Sequence, residues 1–271
     1  MDNNTEPQGR INPTNSFPPN PAKFFASWSS TKECFEIYNK ETKLKELIPL
    51  PFIFLPLERC ICLKGYNEPD KVSYISNEIK DLKNGIFTVK GYNGITKKSS
   101  VVLTGTWEAI KKDAKAIGAD WTESIYIAVK NKEGKLELAN VQLNGSGITH
   151  WFEFLKAVDV WTHAVCVKEF SKEQKGINKY NAPLFSAMKI KKETDIEAAA
   201  LQKQIMAYLS EYFVRDYDSP TGTKTEVVNE QKSHPKDIDV PFDDTKHSAA
   251  QHSIKTEGPG IIYGSDDVPE F

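Results

Sequence analysis

Between Lys23 and Arg215 short apolar runs recur about every ten residues, separated by glycine and asparagine turns, and this rhythm narrows the fold more than any other feature. Residues 34–38 alternate as a first strand and turn at Asn39, Lys40 and Glu41. Residues 47–54 are apolar but broken by Pro49 and Pro51, which suits an edge or irregular extended segment. A strand over 58–64 is expected to stop at Gly65, whereas 71–79 fits neither period. Asn84-Gly85 is a hairpin signal ahead of a strand at 86–90, and residues 91–94 form another turn before a strand at 101–103. Segments 123–130 and 135–143 make a hairpin. The apolar parity changes between Leu138 and Val141, so a bulge is expected in its second strand. Strands at 164–170 and 183–190 flank a basic loop at 172–179. The pattern predicts a small barrel or sandwich.

Three helices interrupt the hairpins. Thr106 caps one whose apolar stripe is Trp107, Ile110, Ala114 and Ile117, with Gly118 as its stop and Lys111, Lys112 and Lys115 off the stripe. Ser146, within Asn144-Gly145-Ser146-Gly147, caps a second helix carrying Ile148, Trp151, Phe152, Leu155 and Val158. Thr194 and Glu197 form a capping box for a third, reaching about residue 213, with Leu201, Ile205, Tyr208 and Tyr212 on its stripe. That helix packs on its own domain in this reading, with a homo-oligomer as the alternative use. The fold class is therefore α+β and mainly β, one domain over 23–215 between tails expected to be disordered.

The tails differ from the body in charge. Residues 1–22 contain five prolines and read as a flexible leader. Residues 216–271 hold twelve acidic against five basic side chains, which leaves 29 Lys plus Arg against 23 Asp plus Glu for the body. A basic body with an acidic tail suits a body that meets polyanions. Cys34, Cys60, Cys62 and Cys166 lack metal-binding spacing and read as reduced, buried thiols. No window is apolar for the roughly 20 residues that cross a bilayer, so a cytoplasmic protein without membrane contact is expected.

Lysines and aromatics recur together on the expected hairpins: Tyr92 with Lys97 and Lys98, Tyr126 with Lys130 and Lys132, and Lys175 and Lys179 beside Tyr180. With Lys111 and Lys112 these are the candidate nucleic-acid contacts, because phosphates need cations and unstacked bases need flat faces. Trp107 and Trp151 sit on apolar stripes and read as core, while Trp28, Trp121 and Trp161 are left open. Asp70 followed by Glu78 and Lys80 faintly follows a metal-dependent nuclease pattern. The chain has no P-loop, dinucleotide fingerprint, Gly-x-Ser-x-Gly or His-Glu-x-x-His, so no enzyme, cofactor or metal is expected. His234, His247 and His252 lie in the tail and read as solvated.

The last residues, Asp266, Asp267, Val268, Pro269, Glu270 and Phe271, make an acidic string with a proline and a final aromatic. An upstream echo, Asp239-Val240-Pro241-Phe242-Asp243-Asp244, keeps the Val-Pro-Phe order without the intervening glutamate. The terminal string resembles the acidic tip of bacterial and phage single-stranded-DNA-binding proteins. The basic turn, aromatic and Pro-x-Phe of 175–185 are similar to a segment of phage-encoded members of that class. The resemblance implies an oligonucleotide-binding barrel with added helices that binds single-stranded DNA non-specifically in replication or recombination. It also implies that Asp266, Asp267, Val268, Pro269 and Phe271 hold replication or recombination proteins, in a bacterial or phage-infected cytoplasm. A phage structural or assembly protein is the alternative, with a nuclease third.

Overall fold

The computed structural model describes residues 18–214. Most of the leader, both acidic motifs and the three tail histidines lie outside the described residues. The chain is mainly β with three helices, as its α+β pattern implies. Its strands are β1 (Phe24–Ser29), β2 (Cys34–Asn39), β3 (Lys45–Ile48), β4 (Phe52–Asn67), β5 (Val72–Ser76), β6 (Phe87–Asn93), β7 (Ser99–Gly105), β8 (Asp120–Lys130), β9 (Leu136–Leu143), β10 (Ala164–Lys175) and β11 (Asn178–Met188). The helices are α1 (Trp107–Ala116), α2 (Ser146–Ala157) and α3 (Lys192–Tyr212), with a 3-10 turn at Val160–Thr162.

The main strand path runs β3-β2-β1-β9-β8-β4-β5-β6-β7, and β10 pairs with the start of β4 and with β11. The β1–β9 pair is parallel and the other ladders are antiparallel. No ladder joins β3 to β7 among the described residues, so the expected closed barrel is replaced by an open mixed sheet. The reason lies in β4, whose sixteen residues serve β10 at Phe52–Phe54, β8 along the middle and β5 at the end. The β10–β11 hairpin meets the β1–β2 turn through side chains instead. Asn181 N–H donates to Ser30 Oγ at 2.7 Å, and Trp28 Nε1 donates to the Asn181 carbonyl at 2.8 Å.

Both faces of the central β4-β8-β9 ladders are buried, which explains the parity change in β9. The register runs without a shift from Glu123 opposite Leu143 to Lys130 opposite Leu136, so the expected bulge is absent. Leu136 and Leu138 pack with Tyr126, Ala128 and Cys60 under Ile205, Tyr208, Leu209 and Tyr212 of α3. Val141 and Leu143 point the other way, with Ile125 and Ile127, onto Trp151 and Phe154 of α2 and Val165 and Val167 of β10. Farther along that second face, Leu63, Phe87 and Val89 pack on Trp107, Ile110 and Ala114 of α1. Glu123, fully buried between these two clusters, accepts from Arg59 at 2.5 and 3.0 Å and from Trp121 Nε1 at 3.0 Å. Arg59 also lies 5.1 Å from the centre of the Phe152 ring.

Several local expectations change. The segment with Phe24, Phe25 and Trp28 is itself a strand, so 34–38 is the second. The supposed basic loop at 172–179 is the two-stranded tip of the β10–β11 hairpin, with Lys175 opposite Asn178. Ser146 is the first residue of α2, behind Gly145 at φ 52°, and makes no cap. Thr194 and Glu197 make no capping box because α3 already starts at Lys192, which puts Thr194 inside its first turn; the Glu197 carboxylate instead accepts the Leu136 N–H at 3.1 Å, tying α3 to the β8–β9 hairpin. The four cysteines are buried and free, and no helix among the described residues is long and apolar enough to cross a membrane.

Gly65 does not end β4, which continues through it to Asn67. A Cβ there would stand 1.8 Å from the Gly118 carbonyl oxygen, so glycine is required by the approach of the α1–β8 link. Gly65→Ala should lower the unfolding free energy in urea by about 3 kcal/mol, and a loss below about 1 kcal/mol would contradict that close packing.

Candidate nucleic-acid interface

The lysines and tyrosines singled out from the sequence do not line one groove. Tyr92 lies on β6, 42% exposed, and Lys97 and Lys98 stand at the exposed turn that follows. Asn93 holds that turn by accepting the N–H groups of Ile95 and Thr96 at 2.9 and 2.8 Å. Lys130 and Lys132 are exposed at the opposite end of the sheet. Alanine 128 of the same strand pairs with Leu55, and β4 runs twelve residues from there to Asn67, about 40 Å at 3.3 Å per residue. At that far end Lys23, paired with Glu137 at 3.5 Å, and Lys43 and Lys45 are exposed as well.

The remaining candidates lie elsewhere. Lys111 pairs with Glu108 at 2.9 Å, and Lys112 shares α1 with it, under the sheet face opposite to Tyr92. Lys175 and Lys179 are exposed at the β10–β11 tip. Tyr180 bonds the carboxylate of Glu173, its cross-strand neighbour, and this raises its phenol pKa. Glu173 is further engaged by His150 and by Ser171 at 2.7 Å. Tyr126 is fully buried, which removes it from any surface. Its hydroxyl donates to Glu78 at 2.7 Å and accepts from Asn20 at 3.0 Å.

A different set does share one open face. The tetrapeptide Lys-Gly-Tyr-Asn occurs twice, at 64–67 in β4 and at 90–93 in β6. β5 lies between the copies and pairs with both in matching register. Lys64 is opposite Ile75 and Ile75 opposite Lys90; Tyr66 is opposite Ser73 and Ser73 opposite Tyr92. The two copies run in the same direction two strands apart, about 10 Å at 4.8 Å per strand. Lysine and tyrosine two residues apart fall on one face of the pleat, and the glycine between them turns to the other. There Tyr74 packs against Gly91, where a Cβ would meet its ring at 3.2 Å.

The β7 partners extend these rows with Val101 and Ser99. Small serines thus alternate with large rings across the Tyr66, Ser73, Tyr92, Ser99 row. Tyr66 is 53% exposed, Ile75 50% and Val101 49%. Lys64 is half-buried and donates to Gln142 at 2.6 Å, and burial lowers its pKa. α3 covers this same face farther back, over Cys60 and Tyr126, and leaves these rows open.

At the margin of the cover, Glu78 accepts from Ser124 and Tyr126, while its N–H donates to Tyr212 Oη at 2.8 Å. Ser124 in turn accepts from Asn140 at 2.9 Å. Burial raises the Glu78 pKa against the opposing pull of these hydroxyls and Lys64. Burial also pushes the neighbouring Cys62 thiol up to about 12, far from thiolate chemistry at neutral pH. Asp70, in the exposed β4–β5 turn, and Glu78, past the far end of β5, do not converge, and Lys80 pairs with Glu58 at 3.0 Å. No group of three metal-binding side chains occurs among the described residues.

No protein-family model, curated protein or solved structure matches the chain. The paired tetrapeptides are what sequence reading missed; self-comparison at a period of 26 residues would have found them. Trp107 and Trp151 are core as expected. Of the three left open, Trp28 and Trp121 are half-buried and hydrogen-bonded, whereas Trp161 is 52% exposed.

A glutamate whose pKa is raised on folding adds stability below its unfolded value, about 4.3, and that part is lost as pH rises through the folded value. Glu78→Gln should therefore flatten the decline of stability above about pH 4.3 relative to the parent protein. Urea titrations between pH 4 and 8 check this, and parallel profiles would contradict it.

Proposed function

We propose that the protein binds single-stranded DNA without sequence preference on the open face of β4, β5 and β6, in replication or recombination in a bacterial or phage-infected cytoplasm. The observation that carries this reading is the register-matched pair of Lys-Gly-Tyr-Asn segments. Two tyrosine rings supply stacking surfaces, and a lysine two residues before each supplies a cation for the backbone. Neither contact reads a base edge, so the binding is indifferent to sequence. Lys97 and Lys98 extend the cationic path at the β6–β7 turn.

α3 ends beside this face, where Tyr212 meets Glu78 and the Phe213 ring lies 6.0 Å from Lys80 Nζ. The segment that follows carries twelve acids against five bases over 216–271. It competes with DNA for the same cations, and Asp266, Asp267, Val268, Pro269 and Phe271 hold replication or recombination partners once DNA displaces it.

Fluorescence anisotropy of labelled poly-dT should show binding that weakens with salt, since phosphate contacts release counterions. Tyr66→Ala and Tyr92→Ala should each weaken it about tenfold, because one stacked base contributes about 1–3 kcal/mol. Lys132→Ala, at the far rim, should change it less than twofold. Salt-independent binding, or equal losses from all three substitutions, would overturn the assignment; no strand affinity at all would favour an assembly protein.

Removing residues 266–271 should leave DNA affinity unchanged or higher and abolish capture of a replication partner. Weakened DNA binding would refute that division of roles.

A further inference from the structure

Away from the tyrosine face, a cleft of about 410 Å³ runs between α3 and the 3-10 turn. Leu55, Leu57 and Val160 line it together with Trp161, Ile190 and Met206. Trp161 and Met206 are each 52% exposed, an unusual use of two large apolar side chains on the two sides of one depression. Its volume suits a few apolar side chains. Of its two carboxylates, Glu58 is paired with Lys80 at 3.0 Å, and Asp195 follows Lys191 and Lys192 in the first turn of α3. Lys189, Lys191 and Lys192 are exposed around Ile190, three cations against Glu193 and Asp195 in the first turn of α3, so that end of the cleft is cationic by one charge.

We propose that this cleft holds the chain's own Val240-Pro241-Phe242, with the ring of Phe242 between Trp161 and Met206. The segment has an apolar centre with Asp237 and Asp239 on one side and Asp243 and Asp244 on the other. Those charges complement the lysines around Ile190. Its reach is sufficient. Residue 240 follows Val214 by 26 residues, up to about 90 Å of extended chain, while the way back along α3 to Asp195 is about 30 Å. Tethering on that scale raises the local concentration of a weak ligand to roughly the millimolar range. The upstream motif thereby anchors the tail to the body and leaves Phe271 for other proteins. Docking here does not depend on strand binding, because no residue of the tyrosine face takes part.

The test is to replace Phe242 in the full chain by the photo-reactive analogue p-benzoylphenylalanine and irradiate without DNA, using a mixture of isotopically light and heavy copies. Cross-links are expected within one chain to residues 160–163, 190 and 199–206. Ala199→Glu, which places a charge at an exposed position of the lining, should reduce their yield about tenfold. The same analogue at position 271 should label the cleft far less. Cross-links to Tyr66 or Tyr92, between copies, or spread over the surface would overturn the proposal. A yield unchanged by Ala199→Glu, or equal labelling from position 271, would overturn it as well. Because no DNA is present, each result stands apart from the anisotropy titration.

Discussion

The structure depends on the long antiparallel contact between β4 and β8, paired from Leu55 opposite Ala128 to Lys64 opposite Asp120. Burying both faces of that ladder builds the core, and the cover is uneven. One face is packed along its whole length, by α2 and the β10–β11 hairpin and then by α1. The other is packed by α3 only at the end where Cys60 and Tyr126 lie. Beyond Glu78 the same sheet presents Lys64, Tyr66, Ile75, Lys90 and Tyr92, with tyrosine and aliphatic side chains about half exposed. A contiguous sheet face with large exposed side chains is the kind of surface that marks an interaction site.

The boundary between covered and open sheet is polar, and it is built to stay shut. Glu78, Ser124, Tyr126, Asn140 and Tyr212 share hydrogen bonds where the core would otherwise end in water. On the opposite face, the Arg59–Glu123 pair occupies the equivalent seam between two hydrophobic clusters. Buried charges of this kind add little net stability when satisfied, but removing one partner typically costs about 3–5 kcal/mol. They fix how the parts of the sheet meet, and so fix where the open face begins.

Periodicity made much of this legible. The helix stripes on α1 and α3, the hairpin of β8 and β9 and the core roles of Trp107 and Trp151 follow from the spacing of apolar residues. Three kinds of feature did not. β1 pairs in parallel with β9, more than a hundred residues away, and no local signal announces such a partner. Tyr126 alternates like a surface tyrosine but is enclosed because β8 is central, and centrality belongs to topology. The barrel rests on strand spacing, which does not say whether a sheet closes, and the shared nucleic-acid surface rests on lysines near turns, which one strand path places at opposite ends of the sheet. Lys64 reads as the end of a strand, with Tyr66 outside it, since Gly65 looks like a stop until the close approach of Gly118 accounts for it.

The central claim is that Tyr66 and Tyr92 meet the strand while the buried tyrosine of the same sheet does not. Fluorotyrosine incorporation with one-dimensional fluorine NMR reads the side chains separately during addition of an oligo-dT. The account predicts that the Tyr66 and Tyr92 resonances move together, saturably and less at high salt, with the Tyr126 resonance stationary. Binding that leaves Tyr66 and Tyr92 unmoved would contradict it.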